Sequence, residues 1–254
     1  MVEAPAHHPE LPALPPITAG PPAPAGLWQS ILFGFGMASR RLLRRRAALL
    51  ALLALALTVS GSVIERRFGS AGAVDRALES TFRLVLPLLT FAIVAEASER
   101  SRLREAAWPV ARYGALHRDV VLGIVAAAAL VASVSGAVLA ALSVVLAHTP
   151  AAPPLASDAL LSAWIGAITA FAYAGWYALG ATFLKQGRGR FIPLIADFLL
   201  GGSAGIAGAV LPRGNAGNLL GGAPPLRLPQ ESSTAILIAS GAALCVMAVL
   251  RCRK

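Results

Sequence analysis

The chain has 254 residues, 57% of them hydrophobic and only 13% charged, and its mean hydropathy is +0.70. A soluble domain carries about 25% charged residues, so a soluble globular enzyme and a disordered scaffold are excluded as the main body, and a multi-span membrane protein remains. The 22 Lys+Arg against 12 Asp+Glu give a net charge of +10, which in a soluble protein would point to nucleic acid. In this chain it reports which loops face the cytoplasm, and no nucleic-acid partner is expected. Aromatics make up 6% of the residues, which suits helices better than a β-barrel with its aromatic girdles.

Residues 1–25 hold eight of the 18 prolines. Such a stretch forms neither a helix interior nor a central strand, and the expectation is a disordered cytoplasmic tail. No basic start leads into an early apolar core, so it is not read as a signal peptide. Its His7-His8 pair is read as solvated rather than as a metal site. Residues 26–46 follow, with Trp28, Ile31, Leu32, Phe33, Phe35 and Met37 ahead of Arg40, Arg41, Arg44, Arg45 and Arg46. Apolar bulk beside a cationic cluster suits an amphipathic helix lying in the membrane interface against anionic lipid headgroups.

Six apolar segments come next, and residues 47–254 are read as one six-span, all-α transmembrane domain. The first is Ala47–Ile64. The second is centred on Leu84–Ala97 and extended backwards through Val74–Arg83, where Glu79 and Arg83 are placed to pair at i,i+4. The third is Val120–Ala147, long enough to tilt or project. The fourth is Ala159–Leu184, the fifth Phe191–Leu211 and the sixth Thr234–Leu250. Alternate loops carry Lys and Arg in a ratio of 16 to 6: residues 40–46, 100–118, 185–190 and 251–254 on one side, and Arg66, Arg67, Arg76, Arg83, Arg213 and Arg227 on the other. By the positive-inside rule the first side, and both termini, are cytoplasmic.

Catalytic and metal chemistry is not expected. Lys185 and Lys254 are the only lysines and neither follows a P-loop spacing, so an ATP-driven process would need a nucleotide site on another polypeptide. Gly201-Gly202-Ser203-Ala204-Gly205 matches a nucleophile elbow, but that motif acts on a strand–turn–helix. The histidines (His7, His8, His117, His148) lie in the tail or near loops, and the glycines read more simply as a Gly-xxx-Gly helix-packing seam. Cys245 and Cys252 are seven residues apart on or beside one span, roughly 10 Å along a helix, too far to bridge, and are read as free thiols. No cofactor is expected.

Two acidic residues fall within spans. Asp197 is costly in hydrocarbon, about 2.5–3.5 kcal/mol at a helix centre. It either lines a polar pathway or pairs with Arg190, about two turns away. Glu96 is similar but shallower.

The loop between spans two and three, residues 96–119, keeps Leu103, Ala106, Ala107 and Val110 on one helical face with charges on the other, and Pro109 ends or kinks that helix. A short amphipathic helix over Glu99–Val110, clamped between two spans, is suited to taking a push from a soluble partner. The plainer alternative is a solvated basic loop.

Glu99-Arg100, Leu103, Gly114, Arg118 and Leu122-Gly123 together resemble the cytoplasmic loop of ABC transporter type-2 permeases: an acidic–basic pair, a Leu-containing helix, a small-residue turn, an Arg, then Leu-Gly at the start of span three. Ile124 stands where that family carries a basic residue. The resemblance implies the membrane subunit of an exporter working with a separate ATPase chain and a second permease chain, in a bacterial cytoplasmic membrane. The loop (Glu99, Arg100, Leu103, Ala107, Arg118) would be its ATPase-docking element, with Glu99 and Arg100 orienting it and Leu103 and Ala107 inserting into the partner or packing against the spans. The lead-in 26–46 would correspond to the family's interfacial helix and residues 212–233 to its external re-entrant segment. The alternative from another class is a non-transport membrane anchor or assembly factor whose basic cytoplasmic face binds a partner or anionic lipid.

Overall fold

The computed structural model describes residues 26–68, 72–150 and 152–252, so the proline-rich stretch 1–25 and its His7-His8 pair lie outside the described residues. The first helix, α1 (Leu27–Leu42), ends inside the basic cluster, with Arg40 and Arg41 in its last turn, and Arg45 and Arg46 already belong to α2 (Arg45–Phe68). The face α1 buries is its small one: Ser30, Gly34, Ala38 and the side chain of Arg41 pack inward, while Trp28, Leu32 and Phe33 are exposed. The cause is a close crossing with α6 (His117–Ala147). A Cβ at Gly34 would strike the Val120 carbonyl and one at Gly123 the Ile31 carbonyl, so two glycines let the backbones touch.

The second apolar segment is one continuous run, α3 (Ala73–Ser80), a π-helical turn (Thr81–Val85) and α4 (Leu86–Ala97). The π turn inserts an extra residue into the helical ladder. Glu79 and Arg83 therefore do not stack and do not form the i,i+4 pair expected of them; none of the ion pairs among the described residues involves either. The turn is tied to α6 through the Thr81 and Ser143 hydroxyls, 2.9 Å apart. Ser143 Oγ donates to the Leu139 carbonyl, so Thr81 is the donor in that pair.

α5 (Leu103–Ala111) leads into α6, and α7 (Leu155–Gly180) returns antiparallel to α6 through a contact between Gly136 and Gly166. The last helix, α11 (Gln230–Arg251), runs parallel to α7: Ile168 and Ala172 pack with Leu237, Gly175 touches Gly241, and the Arg251 guanidinium lies 4.1 Å from the Phe183 ring centre. Two parallel helices joined in sequence require the chain between them to travel back from one end of the bundle to the other.

That return is not a continuous helix. The expected fifth span, Phe191–Leu211, is divided into α8 (Phe191–Leu200), an irregular stretch at Gly201–Gly205 and α9 (Ile206–Val210), followed by α10 (Pro212–Leu219). Gly201-xxx-Gly205 is thus the break itself and not a helix-packing seam. Ten residues of α-helix rise about 15 Å, half of a hydrocarbon core of about 30 Å. α9 and α10 fold back on the break. The Asn215 side-chain amide donates to the carbonyls of Ala209 (2.8 Å) and Leu211 (3.2 Å), and the Asn218 amide to the Leu228 carbonyl and Ser233 hydroxyl at 3.0 and 2.9 Å. Irregular backbone of this kind is tolerated at membrane depth when it is buried in protein.

Among the described residues, five helices are long and apolar enough to cross a membrane: Arg45–Phe68, Ala73–Ala97, His117–Ala147, Leu155–Gly180 and Gln230–Arg251. The first, third and last run past the apolar segments read from the sequence because their ends carry polar turns, whereas the fourth, expected over Ala159–Leu184, starts at Leu155 and stops at Gly180. Cys245 and Cys252 are both free.

Candidate functional site

The loop after α4 is built by a tight reversal. Glu99 and Arg100 both adopt left-handed backbone angles (φ 50° and 56°), a conformation that costs a non-glycine residue of order 1–2 kcal/mol and persists only where neighbours hold it. Ser98 Oγ donates to the Val94 carbonyl at 2.8 Å and Ser101 Oγ to the Ser98 carbonyl at 2.6 Å. The expected helix over Glu99–Val110 therefore begins only at Leu103, where Glu105 accepts the Arg102 backbone N–H at 3.1 Å, and it continues two residues past Pro109. Its apolar face is packed against the bundle: Leu103, Ala106 and Ala107 are buried, so Leu103 and Ala107 pack against the spans. Arg102, Arg104, Glu105 and Trp108 line a groove on its outer side.

Two buried arginines hold this loop from opposite sides. From α1, Arg41 donates to the carbonyls of Ala97 (3.0 Å) and Ala106 (3.3 Å) and to the Glu99 carboxylate (3.2 Å). Arg44 reaches the other Glu99 oxygen at 3.1 Å. From the short 3-10 segment Lys185–Arg190, the Arg190 guanidinium donates to Gly187 O (2.8 Å), Ser98 Oγ (3.2 Å) and Ser101 O (3.0 Å). Burial pushes its pKa down to about 10, and that of Arg41 is also lowered by burial, partly offset by Glu99. Arg190 stays cationic at neutral pH and ties the turn, through Ser98 Oγ and the Ser101 carbonyl, to its own segment at Gly187. Arg102 Nε adds a 2.7 Å bond to the Leu184 carbonyl.

The residues expected to form the docking element are thus brought together, but with different duties. Glu99 is a bracket to α1 rather than a free handle. Arg100 pairs with Glu96 at 2.7 Å, and Glu96 is largely buried. Arg118 sits in the first turn of α6 and pairs with its neighbour Asp119 at 3.1 Å. The outward chemistry falls to Arg104, Glu105, Trp108, Arg112 and Tyr113. Trp108 and Tyr113 are exposed, and the Arg112 guanidinium lies 5.5 and 4.8 Å from their ring centres.

Asp197 does not pair with Arg190. It is 1% exposed and accepts the Tyr173 hydroxyl at 2.7 Å and the Arg213 backbone N–H, at the start of α10, at 3.2 Å. A carboxylate at a helix N-terminus meets unsatisfied N–H groups and the positive end of the helix dipole. Tyr173 stacks on Tyr177, Tyr177 meets the edge of Phe91, and Phe91 packs on Phe191 with centres 5.7, 5.6 and 4.7 Å apart. Asp197 and Glu96 have separate partners and do not form one polar site. The sequence held the signal for the Tyr173–Asp197 contact only as the i,i+4 spacing of Tyr173 and Tyr177. Nothing marked Arg41, Asn215 or Asn218 as structural.

The described residues form an all-helical fold, consistent with a multi-pass membrane protein: five helices long and apolar enough to cross a membrane, a half-length helix broken beside a buried carboxylate, and a loop helix fastened across one end. No family model, curated protein or solved structure matches the chain.

Proposed function

We propose that this chain is the membrane subunit of an ATP-driven exporter of the type-2 permease kind, lying in a bacterial cytoplasmic membrane with both termini inside. A separate ATPase docks on α5, and a second permease chain completes the pathway. The six crossings of this reading are the five long helices and the broken return through α8.

The observation that carries the reading is the attachment of α5. A nine-residue helix, far too short to span a membrane, lies at the end that carries most of the Lys and Arg. It buries Leu103 and Ala107 in the bundle, its Ala106 carbonyl is held by Arg41 of α1, and its N-cap residue Arg102 donates to the Leu184 carbonyl of the α7–α8 connection, whose Arg190 also holds the turn just ahead of it at Ser101. A helix fastened to three elements passes an applied displacement to all of them, whereas a merely solvated loop would absorb it. Rigid transmission of that sort is what rocking of a bundle between two access states needs. The outer rim, Arg104, Glu105, Trp108, Arg112 and Tyr113, offers mixed charge and aromatic anchors, the residue types enriched at interface hot spots.

Trp108→Ala combined with Arg104→Glu tests the reading. Both side chains face outward, so the permease folds, and capture of an ATPase chain from a mild-detergent membrane extract falls at least tenfold. If the wild-type chain captures no ATPase, the anchor reading replaces this one.

A further inference from the structure

At the end of the bundle opposite α5, a cavity of about 670 Å³ opens between α3, the π turn, the break after α8, and α10. It falls within the range of small-ligand sites, about 300–1,000 Å³. One wall carries carboxylates: Asp75 and Glu79, one turn apart on α3. The other charged groups are guanidiniums: Arg83 from the π turn and Arg213 from α10. Four charges of both signs line one cavity, yet no ion pair among the described residues joins any of them. The π turn holds Glu79 and Arg83 out of register, and Arg213 is drawn aside to the Phe198 carbonyl at 3.3 Å. Like charges at i,i+4 repel by a few tenths of a kcal/mol, so Asp75 and Glu79 together attract a cation. The rest of the lining is largely glycine, including Gly202, Gly214 and Gly217, which leaves the room open.

We infer that this cavity binds a zwitterionic phospholipid headgroup bearing a primary amine, its ammonium at Asp75 and Glu79 and its phosphate at Arg83 and Arg213. Two separated sets of opposite charge match a ligand that carries both signs, and a purely anionic or cationic ligand would meet repulsion from one set. An ammonium with N–H donors suits a carboxylate pair better than a quaternary amine, which has none. A lipid is favoured over a free headgroup because the same helix exposes Leu84 and Leu88 on the inward side of Arg83, where acyl chains would run. As the cargo of an exporter, this lipid rests on the function proposed above. Its binding does not need the ATPase, so the two readings fail separately.

The test is a calorimetric titration of the purified full chain, in an uncharged detergent, with dihexanoyl phosphatidylethanolamine. Comparators are the phosphatidylglycerol and phosphatidylcholine of the same chain length, and glycerophosphoethanolamine. The ethanolamine lipid should saturate one site at least tenfold more tightly than any comparator. Gly217 lines the cavity and a Cβ there meets nothing within 4 Å, so Gly217→Leu starts its side chain in open space and occludes the cavity. It should weaken binding at least tenfold with an unchanged melting curve, as should Glu79→Gln and Arg83→Gln, both exposed side chains. Equal affinity for the glycerol lipid, wild-type binding by Gly217→Leu, or no saturable binding overturns the assignment. Equal affinity for glycerophosphoethanolamine would contradict the lipid in favour of a soluble headgroup.

Discussion

The Tyr173 hydroxyl sits 2.7 Å from a carboxylate oxygen of Asp197, joining α7 to α8 one turn before α8 breaks. The second partner of Asp197 is the Arg213 N–H, so one buried acid fastens three segments where the chain abandons regular helix. Removing the hydroxyl leaves a buried carboxyl group with one partner fewer. Tyr173→Phe should lower stability by about 1–3 kcal/mol, the cost of leaving a buried polar group short of a partner, and Asp197→Ala, which also uncaps α10, should lower it further. Thermal unfolding in detergent reads both. An unchanged midpoint for Tyr173→Phe would mean that water replaces the hydroxyl.

The α1–α6 crossing depends on two absent side chains. Gly34→Leu or Gly123→Leu drives Cβ into a neighbouring carbonyl, whereas a Cβ at Gly36 meets nothing within 4 Å. The first two should abolish the monodisperse peak in size-exclusion chromatography, and Gly36→Leu should keep it. Equal behaviour of Gly34→Leu and Gly36→Leu would show that α1 is not seated on α6.

Arg41 and Glu99 share an ion pair, but their losses should differ. Arg41→Ala orphans the Ala97 carbonyl, strips the Ala106 carbonyl of its second donor and frees Glu99, and should cost about 2 kcal/mol, since a buried unsatisfied group costs about 1–3 kcal/mol. Glu99→Gln keeps both carbonyl bonds, and its side chain is 43% exposed, so the loss should stay near the 0–1 kcal/mol typical of exposed pairs. Denaturant or thermal melts of the two variants decide the order; a larger loss for Glu99→Gln would refute the bracket described for Arg41.

The parallel run of α7 and α11 requires the segment between them to cross the bundle. Single cysteines at Ala152 and Gly222 should react with a membrane-impermeant thiol reagent added outside cells, and cysteines at Arg104 and Gln186 only after lysis. External labelling at Gln186, or protection at Gly222, would overturn the crossing.

The long apolar helices were legible because an 18-residue hydrophobic run has few other uses. The face of α5 was legible because Leu103, Ala106 and Ala107 recur at helical spacing. The break at Gly201–Gly205 was not: its residues are as apolar and small as a packing seam, and what ends α8 is tertiary, the return of α10 onto Asp197. The π turn was equally hidden, since Thr81–Val85 reads as ordinary helix and is held by a hydroxyl on α6 some sixty residues away. Arg41 and Arg190 looked like members of basic clusters because composition cannot tell a headgroup-facing arginine from one that satisfies buried carbonyls.

The central claim is that α5 receives an ATPase. Its most direct test is site-specific photocrosslinking from position 108 (Trp108 replaced by a photoreactive phenylalanine) in intact membranes, with the crosslinked partner identified by mass spectrometry. The account predicts one dominant adduct, a chain bearing a P-loop, lost when Arg104→Glu is added. Adducts with lipid alone, or with proteins lacking a nucleotide site, would contradict it.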